Sequence, residues 1–137
     1  MGRLLSIDYG RKRTGLAVTD PLQIIATPLE TIRTHTLLTY LNDYFSREPV
    51  DEIILGFPQK LDNSDTDVTA EVRSLHKKLQ QKFPNKEIHL HDEKFTSKMA
   101  FDTMLAAGLK KKERRKKENV DKVSATIILQ SYLEMKK

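Results

Sequence analysis

The first twenty residues constrain the fold more than any other stretch of the chain. Residues 4–8 (LLSID) alternate, with Leu4, Ser6 and Asp8 on one side of an extended segment and Leu5 and Ile7 on the other. Residues 9–13 (YGRKR) carry turn chemistry, and Gly10 is free to take a positive φ. Residues 14–19 (TGLAVT) resume the extended pattern, which Asp20 and Pro21 close. Two short strands around a polar tip read as an antiparallel hairpin. An acid, Asp8, then ends the first strand, and three cations, Arg11, Lys12 and Arg13, crown the tip.

A third strand is predicted within residues 24–32, where Pro28 places it at an edge or splits it in two. Leu37, Leu38, Leu41, Tyr44 and Phe45 give residues 36–45 the stripe of an amphipathic helix. Residues 52–56 (EIILG) are a compact apolar run stopped by Gly56 and Pro58, the pattern of a buried strand. Val68, Val72, Leu75, Leu79 and Phe83 mark a second helix, and residues 87–91 (EIHLH) alternate as a further strand. Ser97 suits the N-cap of a helix running to Ala107, with Gly108 as its stop. Residues 120–135 return to helical periodicity through Val123, Ile127, Ile128 and Leu133. The predicted order is a β-meander followed by αβαβαα, an α/β fold with a mixed sheet flanked by helices. No repeat or linker divides the chain, so residues 1–137 are expected to form a single domain.

Composition narrows the function classes. The chain has no cysteine, which excludes a disulfide scaffold, a thiolate zinc site and a Cys nucleophile. No apolar run approaches the roughly 18 residues of a membrane span, and the first residues do not read as a signal peptide. A soluble, cytoplasmic protein without membrane contact is expected. The formal net charge of +5 is concentrated in one place: residues 110–118 (KKKERRKKE) hold seven of the 24 basic and two of the 19 acidic residues. The other 128 residues carry 17 of each sign and are neutral. The run has no aromatic residue for base stacking, so its contacts would go to phosphates. It suits a flexible arm along a polyanion, over residues 109–119, or simply a solvated loop.

Four places could carry chemistry. A carboxylate at the end of a buried strand, as at Asp8, needs a metal or a cation to offset its desolvation. A salt bridge to Arg11 or Arg13 would serve as well. Asp92 and Glu93 follow a strand at the kind of edge where open α/β sheets bind ligands, although alternation turns only one of the two toward a shared site. Capping of the next helix is the alternative. Asp121 sits in a first helical turn, where the dipole alone favours an acid. Ser124, Ala125 and Ile128 share its face, and this small, apolar surface can pack closely on the sheet and bring Asp121 inward. Finally, Gly56, Phe57 and Pro58 open a polar loop over residues 59–67, either a groove wall or a plain connection. His89 and His91 share a strand face, but a solvated face explains them as readily as a zinc site.

In order along the chain, these segments resemble the YqgF (RuvX) family of pre-16S rRNA nucleases, also described as Holliday-junction-resolvase-like proteins. The motifs that carry the resemblance are residues 6–20 (SIDYGRKRTGLAVTD), Gly56-Phe57-Pro58, residues 92–96 (DEKFT) and residues 120–125 (VDKVSA) leading into Ile128-Leu129-Gln130. The resemblance implies an RNase H-like fold and an acidic site at Asp8, Glu93 and Asp121, both catalytic and metal-binding. Such a trio holds Mg²⁺ or Mn²⁺ through hard oxygen donors, two ions with substrate, and needs no nucleophilic side chain. The cations expected to contact nucleic acid are Arg11, Lys12, Arg13, Lys94, Lys110, Lys111, Lys112, Arg114 and Arg115. Lys94 stands where the family usually has Arg, so a point charge replaces a bidentate fork. The loop after Pro58 (QKLDNS) lacks the family's usual Gly, for which Asn63 can substitute.

The resemblance implies a metal-dependent endonuclease processing the 5′ end of pre-16S rRNA in ribosome biogenesis. Partners would be precursor rRNA and ribosomal assembly intermediates, with the chain a monomer or weak homodimer. A nuclease for branched DNA, or an RNA-binding assembly factor without catalysis, are the alternatives. An ATPase or sugar-kinase-like phosphotransferase shares the opening Asp-x-Gly, but such enzymes clamp a nucleotide between two domains of this kind.

Overall fold

The computed structural model describes residues 2–57, 67–92 and 117–136, with the backbone alone at 67 and 117–121. The chain runs through β1 (Arg3–Asp8), β2 (Arg13–Thr19), β3 (Ala26–Arg33), a 3₁₀ turn (Thr34–Thr36) and α1 (Leu37–Arg47). It continues through β4 (Val50–Phe57), α2 (Asp67–Lys82), β5 (Glu87–Asp92) and α3 (Lys117–Lys136). The strands form one five-stranded sheet in the order β3-β2-β1-β4-β5. The meander β1–β3 is antiparallel, whereas β1, β4 and β5 run parallel, as crossover connections through α1 and α2 require.

Strand alternation sorts the core into two layers. Leu5 and Ile7 of β1 join Leu16, Val18, Ile53 and Leu55 beneath Leu41 of α1 and Val72 and Leu79 of α2. On the other face Leu4, Ala17 and Ile54 pack against Ala125, Ile128, Leu129 and Leu133 of α3. β1 and β4 are covered on both sides, which is why the run around Ile53, Ile54 and Leu55 is continuously apolar. Ser6, fully buried between Leu4 and Asp8, keeps a satisfied hydroxyl by donating to the Ala125 carbonyl at 2.6 Å.

The third strand is a single edge strand. Leu16 pairs with Glu30 and Ala17 with Pro28, so a bulge at residue 29 absorbs the proline without splitting the strand. Helix α3 begins at Lys117, so the last residues of the basic run are helical backbone. The rest of the 109–119 segment and the helix predicted from Ser97 to Ala107 lie outside the described residues. No described helix is long and apolar enough to cross a membrane.

Candidate active site

Asp8 ends β1 on the face that α3 covers. Ile7 pairs with Leu55, and Leu55 with Leu90, so the parallel strands β1, β4 and β5 finish together at one edge of the sheet. That edge is where parallel α/β sheets place ligands, because loops diverge there and leave a crevice.

The direction of α3 follows from its contacts. Ala125 lies over Ser6, whereas Tyr132 and Lys136, further along the helix, reach Glu52 near the start of β4. Helix α3 therefore descends from the Asp8 edge toward the opposite end. Residue 121 is one turn before Ala125, about 6 Å up the helix axis. Asp8 is two residues beyond Ser6, about 7 Å up the strand. The backbone thus carries Asp121 toward the edge that Asp8 occupies.

On β5, His89 and His91 turn toward α3 and Ile88 toward the opposite core. Asp92 keeps the phase of Ile88. Glu93 lies outside the described residues, as do Lys94, Lys110, Lys111, Lys112, Arg114 and Arg115 and most of the loop after Phe57.

The basic tip beside Asp8 is built to hold its shape. The Thr34 hydroxyl donates to the Gly10 carbonyl, the Thr34 amide donates to the Lys12 carbonyl at 3.0 Å, and Thr14 Oγ1 lies 2.8 Å from Thr34 Oγ1. A Cβ at Gly10 would stand 2.3 Å from the Arg13 carbonyl oxygen, so glycine is required by close approach, and not by the positive φ expected. Arg11 Nε donates to both oxygens of Glu71 on α2, at 3.0 and 3.2 Å, while Lys12 is exposed and Arg13 half-buried. Thr34 and Glu71 were invisible in the sequence because each meets the tip only through folding, across 24 and 60 residues.

At the other end of the sheet, Glu52 is a buried acid that the sequence reading took for strand pattern alone. Burial acts to raise its pKa, but Lys136 Nζ at 2.8 Å and the Tyr132 hydroxyl at 2.7 Å overcome this and hold the carboxyl below its usual range. Burial and then Glu52 push the Tyr132 phenol well above its ordinary value, so it stays a donor. His89 Nε2 stands 3.1 Å from Glu52 and 3.9 Å from Glu87, and ligand atoms of the three lie within 4.8 Å of one another. This is a spacing compatible with a divalent cation. His91 is buried and meets Ser131 Oγ at 2.9 Å. Both histidines thus contact α3, His89 half-buried beside Tyr132 and His91 buried at Ser131, so the solvated-face alternative fails for His91, because α3 crosses far enough to reach β5.

A mixed sheet in this order, an acid ending its first strand and a late helix across that acid's face define an RNase H-like protein. The same fold is found in Thermus thermophilus RuvC, solved in complex with a Holliday junction substrate. The two are 12% identical, with a TM-score of 0.63 over 100% of this chain and 98% of that one. The chain belongs to the RuvX family, described as Holliday junction resolvase, which it matches over residues 2–135. The "Putative pre-16S rRNA nuclease" of Porphyromonas gingivalis is 55% identical over 98% of this chain and 97% of its own length. Proteins of the same name from Amoebophilus asiaticus and Bacteroides thetaiotaomicron are each 48% identical, over 97% and 100% of this chain.

Proposed function

We propose that the chain is a metal-dependent endonuclease that hydrolyses phosphodiester bonds at the 5′ end of precursor 16S rRNA. The observation that carries this reading is Asp8 at the end of β1, with α3 locked by Ser6 so that residue 121 is carried to the same edge. Its full-length relatives named as pre-16S rRNA nucleases supply the substrate. Glu93, which follows the end of β5, would complete an acidic trio with Asp8 and Asp121.

The donor set suits Mg²⁺ or Mn²⁺, since carboxylate oxygens are hard ligands and no thiol is present. Two such ions with substrate supply an activated water and charge stabilisation for the leaving oxygen. The protein's own contribution is positional. Asp8 and Asp121 bind through elements packed rigidly on each other. Arg11, Lys12 and Arg13 meet phosphates beside the scissile bond, and Lys94 with Lys110, Lys111, Lys112, Arg114 and Arg115 extend the contact along the strand. The chain acts in the cytoplasm as one domain, on assembly intermediates, as a monomer or weak homodimer.

The test compares wild type with Asp8→Asn on a precursor rRNA fragment and on a four-way DNA junction, with and without Mn²⁺. Metal-dependent cleavage of the rRNA, lost at least a hundredfold in the variant, is expected. Equal cleavage by both proteins would sink the assignment. Cutting of the junction alone would establish the second reading, a branched-DNA nuclease, which the family's description favours.

A further inference from the structure

A cavity of about 340 Å³ opens beside the basic tip, on the sheet face opposite α3. Tyr9, His35, Leu38, Glu71, Ser74 and Lys78 contribute to its lining, drawn from the tip, the 3₁₀ turn, α1 and α2. Tyr9 directly follows Asp8 but turns to the opposite face of the sheet, so the cavity and the proposed reaction centre flank the same strand end from its two sides. Its volume lies at the small end of the roughly 300–1,000 Å³ typical of ligand pockets. That admits a single base with its sugar and excludes a paired helix.

We infer that this cavity receives one unpaired nucleobase of the nucleic acid bound at Asp8. The inference rests on the nuclease reading for the identity of the ligand. The chemistry of the walls fits a base better than a purely polar or purely apolar ligand. The rings of Tyr9 and His35 and the hydrocarbon of Leu38 suit its flat faces. The Glu71 carboxylate accepts, and the Lys78 ammonium donates, as a base edge requires. Burial, and then Glu71, raise the Tyr9 phenol, so it stays a neutral ring with a hydroxyl donor 3.5 Å from that carboxylate. Thr34 and Arg11 fix the tip, so the cavity is formed before binding and little ordering cost is added. A base can enter only if it has left its partner. The cavity therefore selects strands with an unpaired nucleotide near the end of β1 over continuous duplex.

Ser74 is exposed on α2 at the cavity wall, so Ser74→Trp fills the space without disturbing the core. Binding of a short single-stranded RNA and of a blunt RNA duplex of equal length is measured in EDTA, with thermal unfolding as the control for folding. Ser74→Trp should weaken single-strand binding about tenfold and leave duplex binding unchanged. Lys78→Gln should weaken single-strand binding by a smaller factor. Adenosine 5′-monophosphate should shift the amide resonances of Tyr9, His35 and Ser74 in wild type and not in Ser74→Trp. Undiminished single-strand binding by a folded Ser74→Trp, or no shift at these amides, overturns the inference. Because no metal is present, the outcome is independent of cleavage: a nuclease can survive an empty cavity, and a base-binding cavity can survive the loss of the nuclease reading.

Discussion

Ser6 and Ala125, separated by 119 residues, are joined by a 2.6 Å hydrogen bond buried between β1 and α3. Ser6 lies two residues before Asp8, and Ala125 one helical turn after Asp121. The bond therefore sets the height of one proposed ligand against the other. The Ala125 carbonyl can keep its intrahelical partner if the hydroxyl is removed, so Ser6→Ala should cost only about 1 kcal/mol of stability. Its effect on the Mn²⁺ concentration needed for half-maximal cleavage should be larger, several-fold upward. Urea unfolding and a metal titration of activity check the two parts separately.

Gly10 has no room for a methyl group beside the Arg13 carbonyl. Gly10→Ala must displace backbone that Thr34 holds in place, and a cost of roughly 1–3 kcal/mol is expected. The tip would also move Arg11 and Lys12 away from the phosphates, so RNA affinity should fall more than in Arg11→Ala. Fluorescence anisotropy with a labelled RNA, alongside a melting curve, tests this ordering.

Burial lowers the His91 pKa below its ordinary value of 6.5, outweighing the charge of Asp92, which acts to raise it. A base whose folded pKa is depressed binds fewer protons than the unfolded chain, so stability rises with pH across the interval between the two pKa values. Stability should therefore fall as pH drops below about 6.5. His91→Gln, which can still reach Ser131, should flatten that slope. Melting temperatures between pH 7.5 and 5.5 give the comparison. Glu52, with its pKa held low, loses its contribution in the same direction, but only in the more acidic carboxylate range.

The chain outside residues 110–118 is neutral, so the long-range attraction for RNA should depend on that run. Replacing Lys110, Lys111 and Lys112 with alanine should weaken RNA binding and reduce the slope of log K against log salt by roughly 2 for a single strand. An unchanged slope would make the run a solvated loop.

The fold was largely legible because its elements obey simple periods. Residues 4–8 and 52–56 advertise buried strands, and the two-residue alternation in β1 already assigned Ser6 and Asp8 to one face. Helix α3 was located, but its reach across the sheet to His89 and His91 was not, because a helix stripe fixes which side packs and not where the axis crosses. Asp8 could be read from its place at a strand end. Thr34, Glu71 and Glu52 could not, because polar residues in ordinary surroundings become structural only when distant segments meet. Pro28 was expected to place its strand at an edge or to split it, and the first of these holds: the edge strand sheds one pairing into a bulge.

Helix α3 is drawn from residues 117–136 and closes a sheet face that β1 opened at residue 3. A ribosome delivers these two parts of the proposed site more than a hundred residues apart in time. Until α3 emerges, Leu4, Ala17 and Ile54 have no cover, and Asp8 has no Asp121 to work with. A nascent chain would therefore hold its tip, its sheet and two of the three proposed acids while still unable to cut. For an enzyme proposed to act on ribosomal RNA, the order of synthesis keeps the nascent chain inert until α3 has been made and has packed on the sheet.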